Sequence, residues 1–334
     1  MIAVGGTVAF LLTLVLSPLV ITELRRRDVL DTPVERSSHS VPTLRGGGFA
    51  PAVGACVGAG FAWGSSSASL LVVAATALTF GALGLVDDLA TIAARRRLLL
   101  QLVIAAGAVA LLAPKMTPGW ALLALAPLAW IWLAAYVNAF NFMDGINGIS
   151  AAQVVVAGTA WSLVGAWQDT PVVTAGGLTI AAAALAFLPF NFPRAKVFLG
   201  DVGSYFFGGW LATMVVVALI EGLTPEVAVA PVLLYLCDTG TTLLRRIARR
   251  ASWMEPHREH TYQRLVAGGW SHTGTTAFVA AMIALSSALG AATLAGNPLR
   301  AGADVALVLL MVAYLTSPQW QSRRRHLEPA GLQD

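Results

Sequence analysis

Residues 68–88 decide the fold class, because they read ASLLVVAATALTFGALGLVDD, an uncharged apolar run that ends in two adjacent aspartates. A helix of about 20 apolar residues is long enough to cross a bilayer. The whole chain has this character, since 57% of its 334 residues are hydrophobic and only 11% are charged. Soluble domains carry about 25% charged residues. We therefore expect an all-α, polytopic transmembrane protein.

About eleven apolar stretches are long enough to be transmembrane helices. They cover approximately 2–22, 47–64, 68–86, 98–114, 119–137, 151–167, 172–190, 204–221, 226–244, 275–295 and 302–318. No basic residue precedes the first stretch, and Arg25, Arg26 and Arg27 follow it, so we expect an uncleaved helix with its N-terminus outside. An odd number of crossings then places the C-terminus in the cytoplasm.

The basic residues support this orientation. Of the 21 lysines and arginines, all but Lys115 and Arg300 fall on the predicted cytoplasmic side. The expected cytoplasmic loops are about 23–46, 87–97, 138–150, 191–203 and 245–274. With no tandem repeat or linker, residues 1–334 are expected to form one integral membrane domain. The net charge of +4 is explained by topology, so we expect no nucleic-acid partner.

Carboxylates also gather on the inner side, which the orientation rule does not explain, because it concerns lysine and arginine. Asp87 and Asp88 end the third stretch, where the helix dipole already disfavours negative charge. A solvated helix end is the simple alternative. Otherwise a cation must offset the two charges, either from the basic run 95–97 or from a bound divalent metal.

Three inner loops carry further polar groups. The first reads NAFNFMDGING over 138–148, the second NFPRAKVFLGDVGS over 191–204, and the third PHREHTYQR over 256–264. Glycine allows backbone to approach a ligand closely, and Lys196 is suited to phosphate. His257 and His260 are three apart, which would place them on one helical face, but two histidines are a weak zinc signal. The apolar run 197–199 is expected to bury part of the second loop.

These loops together supply oxygen ligands suited to magnesium and basic groups suited to phosphate. The chemistry they indicate is phosphoryl transfer at a membrane surface. A transporter or channel is the main alternative, although its ionisable groups should lie near mid-membrane. Another lipid-phosphate enzyme, such as a CDP-alcohol phosphotransferase, would need a denser Asp-x-x-Asp-Gly-x-x-Ala-Arg motif. A membrane scaffold would not need so many carboxylates and amides.

The ordered motifs resemble those of the polyprenyl-phosphate N-acetylhexosamine-1-phosphate transferases. The resemblance covers about residues 31–263. The matching pieces are Asp87-Asp88, Asn138-x-x-Asn141-x-x-Asp144-Gly145, Lys196-Val-Phe-Leu-Gly-Asp201-x-Gly-Ser and His257-Arg-x-His260. The branch that starts O-antigen-type glycans is most similar, through Asp31-x-Pro-x-x-Arg36-Ser-Ser-His39, Pro42-x-x-Arg45-Gly-Gly-Gly and Asp238-x-x-x-Thr242-Leu-Leu-Arg245-Arg246.

The resemblance implies that polyprenyl phosphate attacks the β-phosphorus of a UDP-amino sugar and releases UMP. It implies Mg²⁺ as cofactor, with Mn²⁺ as an alternative. Asp201, Asp88 and Asp144 are the implied metal ligands, and Asp87, Asp88 and Asp144 the implied catalytic residues. Substrate binding is implied for Asn138, Asn141, Asn147, Asn191, Lys196, Arg45, His257, Arg258 and His260. Because a phosphate monoester is already largely dianionic at pH 7, overcoming repulsion between anions matters more than a base.

One departure from the family pattern is Asn147, where an aspartate is common, so a role that needs a carboxylate there is in doubt. The resemblance also implies a multi-pass protein of the bacterial cytoplasmic membrane, with its active site on the cytoplasmic face. N-acetylglucosamine is the default sugar, N-acetylfucosamine and N-acetylquinovosamine are alternatives, and undecaprenyl is the expected lipid. A homodimer is one possible oligomeric state.

Overall fold

The computed structural model describes residues 1–32, 41–62, 68–116, 120–251 and 257–327. Those ranges contain thirteen α-helices and three short strands. The helices are α1 (Ile2–Arg26), α2 (Phe49–Ala62), α3 (Ala68–Ala90), α4 (Ala94–Leu112), α5 (Trp120–Met143), α6 (Ile149–Trp167), α7 (Pro171–Asn191), α8 (Gly200–Ile220), α9 (Pro225–Val229), α10 (Leu233–Ala248), α11 (Thr261–Ala267), α12 (His272–Ala292) and α13 (Asn297–Leu327).

Nine of the helices in these ranges are long and apolar enough to cross a membrane. They are α1, α3 to α8, α12 and α13. The expectation of an all-α, polytopic membrane protein is therefore confirmed. The other two predicted spans differ in form: α2 is a shorter apolar helix of 14 described residues, and the stretch 226–244 is not one helix.

The prediction of one helix over 226–244 is wrong because the chain breaks into α9 and α10 around Pro231. Proline has no backbone N–H and clashes with the carbonyl four residues earlier. Proline alone does not decide this, since Pro18, Pro127 and Pro189 lie inside continuous helices. The break leaves α10 as a separate helix, and Asp238 is on it.

Helix α8 is the central helix of the bundle. Every residue from Val202 to Ala218 is buried. Glycines permit this close packing: a Cβ on Gly208 would lie 3.1 Å from the Cα of Val137 in α5, and one on Gly209 would lie 2.8 Å from the Phe80 ring of α3. Because its neighbours enclose α8 on all sides, the N-terminus of α8 is fixed against the ends of those helices.

A small three-stranded sheet lies beside that N-terminus. Strand β2 (Thr43–Arg45) pairs antiparallel with β1 (Leu30–Asp31) and parallel with β3 (Val197–Phe198). Val197 and Leu199 are buried, which confirms the expected burial of the second loop. The register places Arg45 opposite Phe198, three residues before Asp201.

The two ends of the bundle carry different polar groups. We call the end that holds Arg45, Asp88 and Asp201 the site end. At the opposite end, Lys115 donates to the Ser69 hydroxyl at 2.8 Å, and Arg300 pairs with Glu226. Ser69 lies near the start of α3 and Asp88 near its end, about 28 Å apart at 1.5 Å per residue. The predicted inner motifs thus share one end of the bundle.

Candidate active site

Asp88 holds the N-terminus of α8. Its Oδ1 accepts from the backbone N–H of Asp201 at 3.1 Å, and its Oδ2 from that of Val202 at 3.0 Å. The first N–H groups of a helix have no partner within it, and the positive end of the helix dipole favours a carboxylate. Gly84, one turn before Asp88, makes the approach possible, because a Cβ there would lie 2.1 Å from the Asp201 carbonyl oxygen.

Arg45 joins two of the predicted carboxylates. Its Nη2 lies 2.8 Å from Oδ1 of Asp88 and 3.0 Å from Oδ2 of Asp201. The small sheet positions Arg45 for this contact, since β2 pairs with the strand that leads into α8. The single positive charge of Arg45 thus offsets two close anions. The Arg45 side chain remains 37% exposed, so the site is open to solvent beside it.

Asp87 has a different environment from Asp88. Its Oδ1 accepts from the backbone N–H of Ile92 at 2.7 Å, and its Oδ2 contacts Arg97 at 3.1 Å and the Tyr205 hydroxyl at 3.4 Å. Its side chain is only 4% exposed. The sequence predicts that a cation offsets the charges of this aspartate pair. In the structure each aspartate has its own arginine, Arg97 for Asp87 and Arg45 for Asp88.

Asn141 and Asp144 bring the end of α5 to the same site. The Asn141 amide donates to Oδ1 of Asp201 and to the Ser204 hydroxyl, both at 2.9 Å. Asp144 follows in the turn between α5 and α6, where burial raises the pKa of its carboxyl to about 7. The charge of Asp201 also raises this pKa, while Ser150 and Arg45 lower it. Burial and the neighbouring carboxylates thus both disfavour the charged form of Asp144.

The other predicted amides support the loops. Asn138 donates to Gln101 Oε1 at 2.6 Å and to the Ala134 carbonyl at 2.8 Å. The buried Asn191 accepts from the Gly148 N–H and donates to the Val197 carbonyl, both at 2.9 Å. Asn147 donates to the Pro193 carbonyl at 3.0 Å. These three side chains connect α4, α5, α7 and the loops, and their predicted contacts with a substrate stay a prediction.

The histidine loop lies next to the end of α5. The His260 ring is stacked with Phe142 at a centroid distance of 6.2 Å and lies 5.0 Å from the His257 ring. The expectation that the two histidines share a helical face is wrong, because α11 begins at Thr261. Burial lowers the pKa of His257, and the nearby His260 and Arg246 lower it further.

The remaining predicted residues are at the rim. Lys196 and Arg258 are both exposed. The motif residues Arg36 and His39 lie outside the described residues. In the part of the chain that the structure describes, no three His, Cys, Asp or Glu side chains form a ready metal-binding group. Asp201, Asp88 and Asp144 are therefore not a preformed three-ligand site, and their metal role stays a prediction.

Asp201 alone nevertheless suits a magnesium ion. Its side chain is 20% exposed, Oδ1 accepts from Asn141 and Oδ2 from Arg45. Each carboxylate oxygen has two lone pairs, so each keeps one for a cation. Magnesium is usually held by one or two carboxylates together with phosphate oxygens of a substrate.

Sequence reasoning missed the structural role of Asp238. It is fully buried in α10 and accepts hydrogen bonds from α11 and α13. It also missed Tyr262, whose hydroxyl donates to the Phe142 carbonyl at 3.1 Å and packs against Gly145. A carboxylate within an apolar stretch was the available signal for Asp238, since such groups are tolerated in a membrane protein only when they are well paired.

Comparison with known proteins gives this geometry a family. The profile described as glycosyl transferase family 4 matches residues 70–219, which include Asp87, Asp88, Asn141, Asp144 and Asp201. The phospho-N-acetylmuramoyl-pentapeptide-transferase of Pelotomaculum thermopropionicum is 31% identical over 332 residues, covering 88% of this chain and 97% of the relative. The chain belongs to glycosyl transferase family 4.

Other relatives in this family carry different names. The probable undecaprenyl-phosphate N-acetylglucosaminyl 1-phosphate transferase of Bacillus subtilis is 28% identical, covering 81% of this chain and 79% of the relative. The decaprenyl-phosphate N-acetylglucosaminephosphotransferase of Mycobacterium leprae is 27% identical, covering 90% and 86%. The family membership makes the chain a membrane transferase and sets the transporter alternative aside.

Proposed function

We propose that this family 4 transferase moves N-acetylhexosamine-1-phosphate from a UDP-sugar to polyprenyl phosphate. Relatives named for undecaprenyl and decaprenyl phosphate, both with N-acetylglucosamine, support the lipid acceptor and make N-acetylglucosamine the first sugar to test. The products are polyprenyl-diphosphate-sugar and UMP. The step would initiate a cell-surface glycan, and O-antigen-type glycans remain the favoured class because of the sequence motifs.

The observation that carries the proposal is the convergence of Asp88, Arg45 and Asn141 on Asp201 at the start of α8. The site combines a helix N-terminus, an arginine and a carboxylate at one end of a membrane bundle. Arginine favours phosphate, and Asp88, which occupies the first N–H groups of α8, fixes Asp201 beside Arg45. A lipid held in the bilayer would present its phosphate at this depth, and a soluble nucleotide sugar would reach it from the adjoining aqueous side.

In the proposed reaction, an oxygen of the lipid phosphate attacks the β-phosphorus of the UDP-sugar. The new phosphorus–oxygen bond forms as the bond between the β-phosphorus and the oxygen bridging to the α-phosphate breaks, and UMP leaves with that oxygen. A Mg²⁺ or Mn²⁺ ion bound by Asp201 and substrate phosphates would supply neutralising charge. Arg45 can serve the same purpose from the protein, by turning from the carboxylates to a phosphate oxygen.

The protein contributes mainly position and electrostatics. Asp88 uses Oδ1 and Oδ2 to hold the α8 backbone, so we assign it to positioning Asp201, while Asn141 orients the Asp201 carboxylate. Asp87 is the aspartate left to orient the lipid phosphate, after release from Arg97. Asn141 and Asp88 are already in place, and preorganised groups of this kind need no rearrangement when charge develops during phosphoryl transfer, whereas Asp87 and Arg45 must first exchange their partners.

Localisation is proposed on the same basis. The named relatives are bacterial, and all but two of the lysines and arginines fall on the side that the sequence predicts to be cytoplasmic. We therefore place the protein in the cytoplasmic membrane with this site facing the cytoplasm, where nucleotide sugars are made.

The test uses the purified full chain in lipid nanodiscs. UMP release is measured with undecaprenyl phosphate, UDP-N-acetylglucosamine and Mg²⁺, and with each omitted in turn. A panel of UDP-N-acetylhexosamines including the 6-deoxy sugars replaces the donor in parallel. UMP should form only when lipid, donor and divalent ion are all present. Release of UMP without the lipid, or full activity after chelation of divalent ions, would contradict the proposal.

A further inference from the structure

Asp238 links three helices behind the histidine loop. It is fully buried in α10, and both its oxygens accept from the backbone N–H of Thr261 at 3.0 Å, at the start of α11. Oδ2 also accepts from the Tyr314 hydroxyl of α13 at 2.7 Å, and Oδ1 from Thr242 at 3.3 Å. Burying a carboxylate is costly unless it is hydrogen-bonded, and these three donors offset that cost, which a nearby cation would offset further.

The partner within ion-pair distance is His260. Its Nδ1 lies 3.4 Å from Oδ1 of Asp238, and the side chain is only 3% exposed. This buried Nδ1 makes no close hydrogen bond within the described residues, although the backbone N–H of Gln263 faces the His260 side chain in a capping box. Asp238 favours a proton on Nδ1, because a bare lone pair there would face its carboxylate oxygen, and the Gln263 N–H is the group that would favour a bare Nδ1.

His260 also contacts the residues that lead into the Asp144 turn. Its ring stacks with Phe142 on one element and with Tyr262 on another, at 6.2 and 6.0 Å between centroids. Tyr262 fixes that turn by donating to the Phe142 carbonyl and packing against Gly145. Movement of His260 would therefore change the edge of the site formed by the end of α5.

We propose that Asp238 is a positioning residue that holds His260 with its proton on Nδ1 and leaves Nε2 for the substrate. Asp238 does not touch the substrate and acts through the histidine, as carboxylates behind a working imidazole do elsewhere. The contribution to catalysis rests on the proposed function, whereas the effect on the His260 tautomer does not. The substrate group that Nε2 would meet is a phosphate or hydroxyl of the nucleotide sugar.

The first test is spectroscopic and needs no substrate. Protein labelled with ¹⁵N-histidine is studied in nanodiscs, and the His260 signals are identified by their loss in His260→Ala. We expect His260 of the native protein to carry a proton on Nδ1, and Asp238→Asn to change the ring nitrogen shifts. A native His260 whose Nδ1 is unprotonated, or a ring unaffected in Asp238→Asn, would overturn the proposal even if the protein proves to act on another substrate.

The second test separates positioning from folding. Asp238→Asn should lower kcat/KM by about 10- to 100-fold, the range seen when a group that orients a ligating or catalytic side chain is removed, mainly through kcat. In a His260→Ala background the same change should lower it less than about twofold, because the histidine through which it acts is gone. Tyr314→Phe is the matched control, since it removes one hydrogen bond and keeps the carboxylate.

The two experiments distinguish the failures. Equal losses from Asp238→Asn in both backgrounds, with parallel loss of thermal stability, would show a purely structural role and overturn the proposal. If native protein releases no UMP but the ¹⁵N spectra show the expected tautomer, the proposed function fails and the positioning of His260 stands. If Asp238→Asn does not fold, the native His260 tautomer still decides the outcome.

Discussion

Replacing Gly84 by alanine tests how the site is held together. In α3, the added Cβ would lie 2.1 Å from the carbonyl oxygen of Asp201 and 2.9 Å from the nitrogen of Val202. Both neighbours are backbone, so no side chain can turn away. Asp88, one turn further along α3, binds the same stretch of α8. Helix α8 must therefore move away from α3 or the new methyl group cannot be accommodated.

The size of the movement follows from the distances. Ordinary Cβ contacts begin at 3.4 Å, so the Asp201 carbonyl must retreat by about 1.3 Å. Such a shift would lengthen the hydrogen bonds from Asp201 and Val202 to Asp88 beyond useful range, since they are already 3.1 and 3.0 Å. Overpacking of this kind costs about 1–3 kcal/mol of stability. A misplacement of about 1 Å at a reacting centre can cost about 100-fold in rate.

We therefore expect Gly84→Ala to lose about 100-fold in UMP release and about 1–3 kcal/mol in stability. Gly107→Ala in α4 is the matched control, because nothing lies within 4 Å of the added Cβ. It should keep native turnover and change stability by less than about 1 kcal/mol. The assay is UMP release in nanodiscs, with thermal unfolding of the same samples. Turnover of Gly84→Ala above a third of that of Gly107→Ala would refute the reasoning.

Four further substitutions test separate parts of the site and its loops. Asp201→Asn should lower turnover at least as much as Asp87→Asn, and near-native UMP release by Asp201→Asn would disprove the metal assignment. Arg45→Met should tighten Mn²⁺ binding by at least about tenfold, because two like charges about 4 Å apart near a protein surface repel each other by up to about 4 kcal/mol. Mn²⁺ affinity is measured by electron paramagnetic resonance, and an unchanged affinity would show that Arg45 and the metal do not compete. Asn147→Asp should not raise turnover and should lower the unfolding temperature, since a carboxylate cannot donate to the Pro193 carbonyl; faster UMP release would show that the missing carboxylate limits the enzyme.

The spanning helices could be predicted from sequence because a bilayer imposes one strong rule, a long apolar run. That rule predicted the first residue of α3, Ala68, correctly. It failed at Pro231, where the apolar run continues but the backbone hydrogen bonds do not. Hydropathy measures side chains, whereas a helix break is a property of the backbone and of what packs around it, as the unbroken helix at Pro127 shows.

The carboxylates that meet at the start of α8 could be picked out from the sequence, but their contacts could not. Asp87 and Asp88 are neighbours in sequence, yet one binds Arg97 and the other caps α8. Asn191 is predicted to bind substrate, and the structure adds that it joins two loops. Arg45 reaches Asp201 through strand pairing across more than 150 residues, which no local pattern reports. Such assignments depend on long-range packing that one sequence does not contain.

The most direct test of the central claim follows the phosphorus atoms. The purified protein is given undecaprenyl phosphate, Mg²⁺ and UDP-N-acetylglucosamine radiolabelled at either the α- or the β-phosphorus, and the lipid and nucleotide products are separated. Transfer of sugar-1-phosphate predicts that the β-label enters the lipid and the α-label is released in UMP. With Asp201→Asn, neither labelled lipid nor labelled UMP should form. Lipid that gains sugar while β-label remains in UDP, or no labelled lipid with any UDP-N-acetylhexosamine, would contradict the account.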